Sequence, residues 1–226
     1  GLKESSWFSF GKIRAGYAMV GNDTDPYRIY DTYRAKENFG SNPLYTVPNP
    51  KNNQELEPEV TKSWEVGADL RFFQNRLGLD IAYYNLNTSQ LIFPVTVSGA
   101  TGNSSTVINA GEMVNKGVEI LLYGTPVKVK DWQWDITINW AKNNNELVAL
   151  EEGIENLRLV NAPFSVSVNA TVGQPYGTII GRDYEMVDGQ RLVNSSGMYE
   201  PTANLVPLGN VQPDWTGGIG SNLRWK

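Results

Sequence analysis

"KSWEVGADLRFFQNRLGLDIAYYNLN", residues 62–87, decides how the rest of the chain is read. Trp64, Val66, Ala68, Leu70 and Phe72 are apolar, and Glu65, Gly67, Asp69 and Arg71 between them are polar or small. After Gln74-Asn75 the alternation resumes at Leu77, Leu79, Ile81 and Tyr83. A period of two predicts strand, and a two-residue polar link predicts a hairpin. Each arm is roughly ten or more residues long, where ordinary strands run to about 5–6. With that turn, Asp69 falls opposite Asp80, an unfavourable meeting of like charges, and Arg71 on the diagonal is the expected relief of Asp80.

Working outward, the same alternation recurs. Ile13, Ala15, Tyr17 and Met19 alternate with Lys12, Arg14, Gly16 and Ala18. Val118, Ile120 and Leu122 share one face, and Trp132, Trp134, Ile136, Ile138 and Trp140 stand opposite Gln133, Asp135, Thr137 and Asn139. Trp215, Ile219, Leu223 and Trp225 end the chain against Thr216, Gly218, Asn222 and Arg224. These are about six strong strands. Long polar segments (roughly 21–61, 88–113 and 143–213) alternate with short links at 74–75 and about 125–131. A membrane barrel has this asymmetry, with short periplasmic turns and long outer loops. The fold class expected is therefore all-β, an antiparallel transmembrane barrel segment, with its tryptophans near strand ends at the headgroup level. Six strands are fewer than the roughly eight a bacterial barrel needs, and open edges are not tolerated in lipid. A fragment of a larger barrel is the expectation. Inside the third long segment, YGTIIGRDYEMV, Asp188-Gly189 and QRLV read as a hairpin with a type I′ turn, over about 177–193. Parity places it in the outer loop, and two further wall strands is the other reading.

Composition narrows the function. The chain has 226 residues, 19 Lys plus Arg against 24 Asp plus Glu, a formal net charge of −5, no Cys and no His. The acidic balance argues against nucleic acid. The commonest general base, the usual triads and the usual zinc ligands are missing. No run approaches the roughly 18 apolar residues of a membrane helix, and the mean hydropathy is −0.37, but barrel strands show only alternation. The N-terminus carries no apolar signal-peptide core.

FGKIRAGYAMVGN, ELEPEVTKSWEVGADLRFFQNRLGLDIAYYN, AGEMVNKGVEILLYGTPV, WDITINWAKNNNELV, GQPYGTIIG and LGNVQPDWTGGIGSNLRWK together resemble the late barrel strands of SusC/RagA-type TonB-linked outer-membrane transporters of Bacteroidetes. The resemblance covers nearly the whole chain in the family's order. It implies a 22-stranded barrel with an N-terminal plug that imports oligosaccharides or peptides. A SusD-type surface lipoprotein would lie over its mouth, and TonB would act on the plug. The expected domain organisation is one partial barrel over 1–226, without plug, TonB-contacting segment or closing strand, in the outer membrane against its lipid. TonB then touches it only through the missing plug.

The expected roles are structural. Lys12, Arg14, Glu65, Asp69, Arg71, Asp80, Asp135 and Arg224 should face the lumen, either contacting plug or solute or forming solvated ion pairs. Tyr27, Tyr30, Tyr33 and Tyr45 in the first long loop could stack on sugar rings, pack within the loop or touch the lid lipoprotein. Glu151, Glu152 and Glu155 form an acid cluster in a loop with nothing to raise a pKa, unlike the carboxylate pair of a glycosidase. Asp23, Asp25 and Asp31 lack the glycine of an EF-hand. GQPYGTIIG lacks the Lys-Ser/Thr pair of a phosphate loop, so its Gly and Pro are expected to set turns. No cofactor, metal or catalytic residue is expected. The competing readings are a soluble carbohydrate-binding β-sandwich, a structural or adhesive outer-membrane barrel, and an all-β hydrolase using carboxylates.

Overall fold

The computed structural model describes residues 7–226; residues 1–6, which the sequence reading counts in the barrel segment, lie outside the described residues. In chain order, β1 is Phe8–Asn22, and the first long loop carries a hairpin of β2 (Arg34–Phe39) and β3 (Asn42–Thr46). Then come β4 (Glu59–Phe72) and β5 (Leu77–Ser89), the expected hairpin. The second loop holds β6 (Ile92–Thr96) and β7 (Ser105–Asn109), ahead of β8 (Gly111–Lys128) and β9 (Trp132–Leu150). The third loop holds β10 (Asn156–Ala162), β11 (Val166–Thr171), β12 (Thr178–Gly181), β13 (Met186–Val187), β14 (Gln190–Arg191) and β15 (Val206–Asn210), and β16 (Thr216–Trp225) ends the chain.

The wall is a six-stranded antiparallel sheet in the order β1-β4-β5-β8-β9-β16, so its strands are neighbours in the order the chain makes them. Among the described residues β1 and β16 each pair on one side only, and the sheet is open. Its short turns are tight. The Arg76 N–H donates to the Phe73 carbonyl at 3.1 Å, and Gln74 (φ 56°) and Asn75 (φ 64°) adopt the left-handed conformations of a type I′ turn, whose twist matches the strands it joins. Val129 and Trp132 exchange backbone hydrogen bonds of 2.9 and 3.3 Å around Lys130-Asp131.

Register sorts the side chains into two faces. Ala68 pairs with Ile81, Leu70 with Leu79, and Asp69 with Asp80, as expected from the turn. Ile81 continues to Ile120, Ile120 to Trp140 and Ile138 to Ile219. Thus Trp64, Leu70, Leu79, Ile81, Ile136 and Ile138 share one face, and Asp69, Arg71, Asp80 and Asp135 the other. Among the described residues no second sheet covers the apolar face: even on inner strands Val66 is 46 % and Ile138 37 % exposed. That excludes the soluble sandwich, in which such residues would be core.

Two aromatic rims bound the apolar face. At the loop end stand Tyr17, Trp64 against Tyr83 (centroids 5.3 Å apart), and Trp140. At the turn end Trp7 stacks on Phe72 at 5.8 Å and Trp132 on Trp225 at 6.1 Å. On β4 the rims are eight residues apart, Trp64 to Phe72, and on β9 also eight, Trp140 to Trp132. The register row through Trp64 crosses β9 at Asn144, four residues beyond Trp140. The row through Phe72 crosses it at Ile136, four residues beyond Trp132. Both rims therefore drop four residues over three strand spacings. At ~3.4 Å per residue and ~4.8 Å per strand that is a tilt of roughly 43°, inside the 35–45° of membrane barrels. Eight residues at this tilt separate the rims by about 20 Å, close to the ~25 Å apolar band of such barrels.

Two expectations need correction. Trp64 and Trp140 stand in mid-strand, because β4 continues to Glu59 and β9 to Leu150 beyond the rim; the wall projects past the apolar band. The hairpin of the third loop is only β13 and β14, around Asp188 (φ 52°) and Gly189 (φ 77°). The preceding TIIG is β12, which pairs instead with β11 and β15. All of these strands lie outside the wall sheet. The buried core lies outside the wall's membrane band. Leu91, Phe93, Ala110, Leu147 and Ala170 pack together with Leu157 and Tyr176, joining the second and third loops to the projecting end of β9.

Candidate functional site

The polar face of the wall carries a connected charge network. Arg14 on β1 reaches across β4 to Asp80 on β5 and donates from Nη1 (2.9 Å) and Nη2 (2.7 Å) to its two carboxylate oxygens. This fork-to-fork geometry is the strong form of the interaction. It is possible because Gly67 lies beneath: a Cβ there would meet the guanidinium at 2.7 Å. The Arg14 Nε also approaches Glu65 at 3.4 Å. Asp69, opposite Asp80, has its own guanidinium, since Arg71 Nη2 donates to it at 3.0 Å. The expected relief was therefore misassigned. Arg71 serves Asp69 on its own strand, and Asp80 is served by Arg14, two strands away.

The rest of the network follows the same logic. Arg71 also lies over the Phe10 ring, 4.8 Å from its centroid. Lys12 stands opposite Asp69 in register. Asp135 accepts from Thr125 Oγ1 at 2.8 Å and from Gln133 Nε2 at 3.0 Å, with Arg224 at 3.7 Å. Tyr84 and Tyr123 lie flat over Gly117 and Gly78, where a Cβ would meet their rings at 2.3 and 2.1 Å. The Tyr84 hydroxyl donates to Asn143 at 3.2 Å. Asn143 and Asn145 both donate to Asn115, at 3.2 and 2.8 Å. Such a face is polar and cross-braced, with each carboxylate named here held by a donor.

The profile of the TonB dependent receptor-like β-barrel family matches residues 5–223. The chain belongs to this family. It is 27 % identical to TonB-dependent receptor P3 of Formosa agariphila over all of this chain and 25 % of that protein. It is 28 % identical to TonB-dependent receptor SusC of Bacteroides thetaiotaomicron over 74 % of this chain and 17 % of that protein. The structure of the RagAB peptide transporter shares its fold with a TM-score of 0.81, at 22 % identity, over 99 % of this chain and 26 % of that one. The chain thus matches about a sixth to a quarter of the length of these relatives. It is a segment of a TonB-dependent receptor barrel, similar in sequence to SusC and in fold to the RagAB transporter.

The loops of this TonB-dependent receptor segment form an ordered layer at one end of the wall. Tyr27, Tyr30, Tyr33 and Tyr45 are all exposed. They do not converge: Tyr33 lines a cavity of about 150 Å³ with Asp31 and Lys51, Tyr45 lies on β3, and the carbonyls of Tyr27 and Tyr30 accept from Asn52. Asp23 Oδ1 accepts from the Thr24 N–H and Asp25 pairs with Arg28 at 3.2 Å, so these acids point to separate partners. Gly173 (φ 76°) and Gly177 (φ 87°) set turns, as expected. The third loop docks on β9 through Leu147 N–H to the Gln174 carbonyl at 3.0 Å and Gly173 N–H to the Leu147 carbonyl at 2.8 Å. Burial pushes the Tyr176 phenol up from its ordinary pKa. The sequence reading missed Arg191, held 4.8 Å from the Tyr184 centroid and 5.5 Å from that of Tyr199. Val193 and Tyr199 bridge in the backbone, but the run between them gives no periodic signal. It also missed the Gly-Tyr pairs, whose signal (a glycine at an inward position, a Tyr on the next strand) becomes visible once register is known.

Proposed function

We propose that this chain is wall and outer-loop structure of a TonB-dependent outer-membrane importer for oligosaccharides or peptides, working with a SusD-like lipoprotein. The observation that carries the reading is the pair of parallel aromatic rims, about 20 Å apart, against which the strands tilt by roughly 43° from the rim normal. That pattern has a use only where lipid meets the wall. Orientation follows from connection length, with the turns at Gln74-Asn75 and Lys130-Asp131 on the periplasmic side and the packed loops outside. The opposite face, with Arg14, Asp69, Arg71, Asp80, Asp135 and Arg224, then lines the lumen and meets plug or solute. The exposed tyrosines 27, 30, 33 and 45 offer aromatic faces at the mouth for the lid lipoprotein or for sugars. The wall does no chemistry of its own. TonB acts through a plug that this segment does not supply. The names SusC and RagAB peptide transporter support the solute class without choosing between glycan and peptide.

The test is uptake by cells carrying the complete receptor gene with its neighbouring lipoprotein gene. Growth on an oligosaccharide or oligopeptide as sole source should vanish when the receptor or TonB is deleted. The lipoprotein should co-purify with the receptor in detergent. Unchanged growth on every such source after deletion, with no co-purifying lipoprotein, refutes the reading.

A further inference from the structure

We propose that Lys62, Lys116 and Lys142 form a row that binds phosphate groups of the outer-leaflet lipid; this rests on the barrel reading above. Each lysine occupies the next outward-facing position beyond the loop-end rim. Lys62 is two residues past Trp64 on β4, Lys142 two past Trp140 on β9. Lys116 is two past Val118, which pairs with the rim residue Tyr83. On β5 that position is Asn85, two past Tyr83. The row thus drops across the sheet in parallel with the rim, and it follows the headgroup level of the membrane. All three lysines are exposed, and none makes an ion pair among the described residues.

The row is cationic in a chain whose net charge is −5. The acids nearest above it on the same face are Glu112, four residues from Lys116 along β8, and Glu146, four residues from Lys142 along β9 and diagonal to Lys116, which pairs with Asn144. Glu112 is engaged by Asn87, and among the described residues neither acid forms an ion pair with a lysine of the row, so the three ammonium groups are free to meet phosphate. Lys116 and Lys142 are diagonal neighbours, Lys142 pairing with Val118. Diagonal positions lie about 7–8 Å apart, so two flexible stems can converge on one phosphate. Their methylenes lie along the apolar band while the ammonium groups rise to the headgroups. Glycan or peptide cargo has no access to this face, and the lid lipoprotein lies over the mouth. Lipid is the occupant that the charge and the height both fit.

The test uses the complete receptor, purified in detergent and titrated by native mass spectrometry with diphosphoryl lipid A and with its dephosphorylated form. The wild type is expected to retain the phosphorylated lipid preferentially. A basic residue at a charged surface strengthens binding roughly five-fold, so K62Q/K116Q/K142Q should weaken retention by at least about ten-fold, and K142Q alone by a few-fold. K130Q, at the turn end, should leave it unchanged. Millimolar inorganic phosphate should not displace the lipid; displacement would show a free-anion site and overturn the proposal. Equal retention of both lipids by the wild type, or unchanged retention by the triple variant, overturns the lysine row while a heat-modifiable, membrane-inserted barrel stands. A receptor recovered in the soluble fraction overturns the barrel reading and the row with it.

Discussion

Ile136→Lys should be the most damaging single lysine on β9, and its neighbour Thr137→Lys nearly harmless. Ile136 stands four residues from Trp132 and four from Trp140, midway between the rims. At the tilt read from the rims, this places it about 10 Å from either headgroup level. A lysine facing lipid at the midplane costs about 2–4 kcal/mol, falling to about 0–1 near the interface. Ile138, two residues from Trp140, should therefore cost less than Ile136. Thr137 faces the polar side, opposite Tyr123 and Gly220, where a lysine remains wet. Urea unfolding of the complete receptor in lipid nanodiscs, followed by tryptophan emission, measures the series. The expected loss for Ile136→Lys is about 30- to 1,000-fold in the folding constant, taking ~1.4 kcal/mol per decade. In plain buffer the sign reverses for the 226-residue chain by itself. Exposed apolar patches drive association, so Ile136→Lys with Ile138→Lys should raise its solubility. A Thr137→Lys cost equal to that of Ile136→Lys, or a soluble monomer unfolded by the double substitution, would refute the assignment of faces.

Gly67→Ala should push Arg14 off Asp80, since its Cβ would stand 2.7 Å from the guanidinium; it should lower the urea midpoint in the wild type but add nothing in an Arg14→Ala background, the mark of a shared interaction. Leu147→Ala empties the centre of the loop core, where Leu147 is 0 % exposed, at a cost of about 2–5 kcal/mol. Hydrogen exchange at Leu147 and Gly173 should accelerate while amides of β4 and β5 stay protected. Tyr176 holds its proton more tightly folded than unfolded. Its contribution to loop stability is thus present below the unfolded phenol pKa of about 10 and lost as pH rises through the folded one. Phenolate absorbance should show the late-titrating fraction fall by one tyrosine in Tyr176→Phe.

What was legible in the sequence was whatever depends on period and parity. The alternation from Trp64 to Tyr83 fixes strands, turn and faces together, because a one-residue slip would put Asp69 and Asp80 into lipid. The pairing of Asp80 with Arg14 was not legible, because it joins residues 66 apart across an intervening strand. It needs the β1–β4 register and the bare backbone at Gly67. The third loop was legible only at its turns, Gly173, Gly177 and Asp188-Gly189. Its β12 reads as a hairpin arm by proximity, yet Ile179 and Ile180 find better partners in β11 and β15, where Ala170 joins the buried core. Sequence proximity carries no information on which of several short apolar runs will share a core.

The two parts of this chain are held by different solvents. In the band between the rims, outward residues of the inner strands such as Val66 and Ile138 stay exposed, so their burial is supplied by lipid and the wall needs only a satisfied backbone and a braced inner face. The bracing is done by contacts that span strands: Arg14 over Gly67, Tyr84 over Gly117, Tyr123 over Gly78. Beyond the rim that lipid is gone, yet β8 and β9 continue. There the apolar side chains must find each other, and they do so in the small core around Leu147. The loops are therefore anchored to the wall by packing and not by chain connection alone. This division makes the Leu147→Ala and Ile136→Lys outcomes separable: the first should loosen the mouth and leave the barrel, the second should weaken the barrel and leave the mouth. A Leu147→Ala receptor that unfolds as a whole, with wall and loop amides exchanging together, would show that the projecting strands and the membrane band form one cooperative unit.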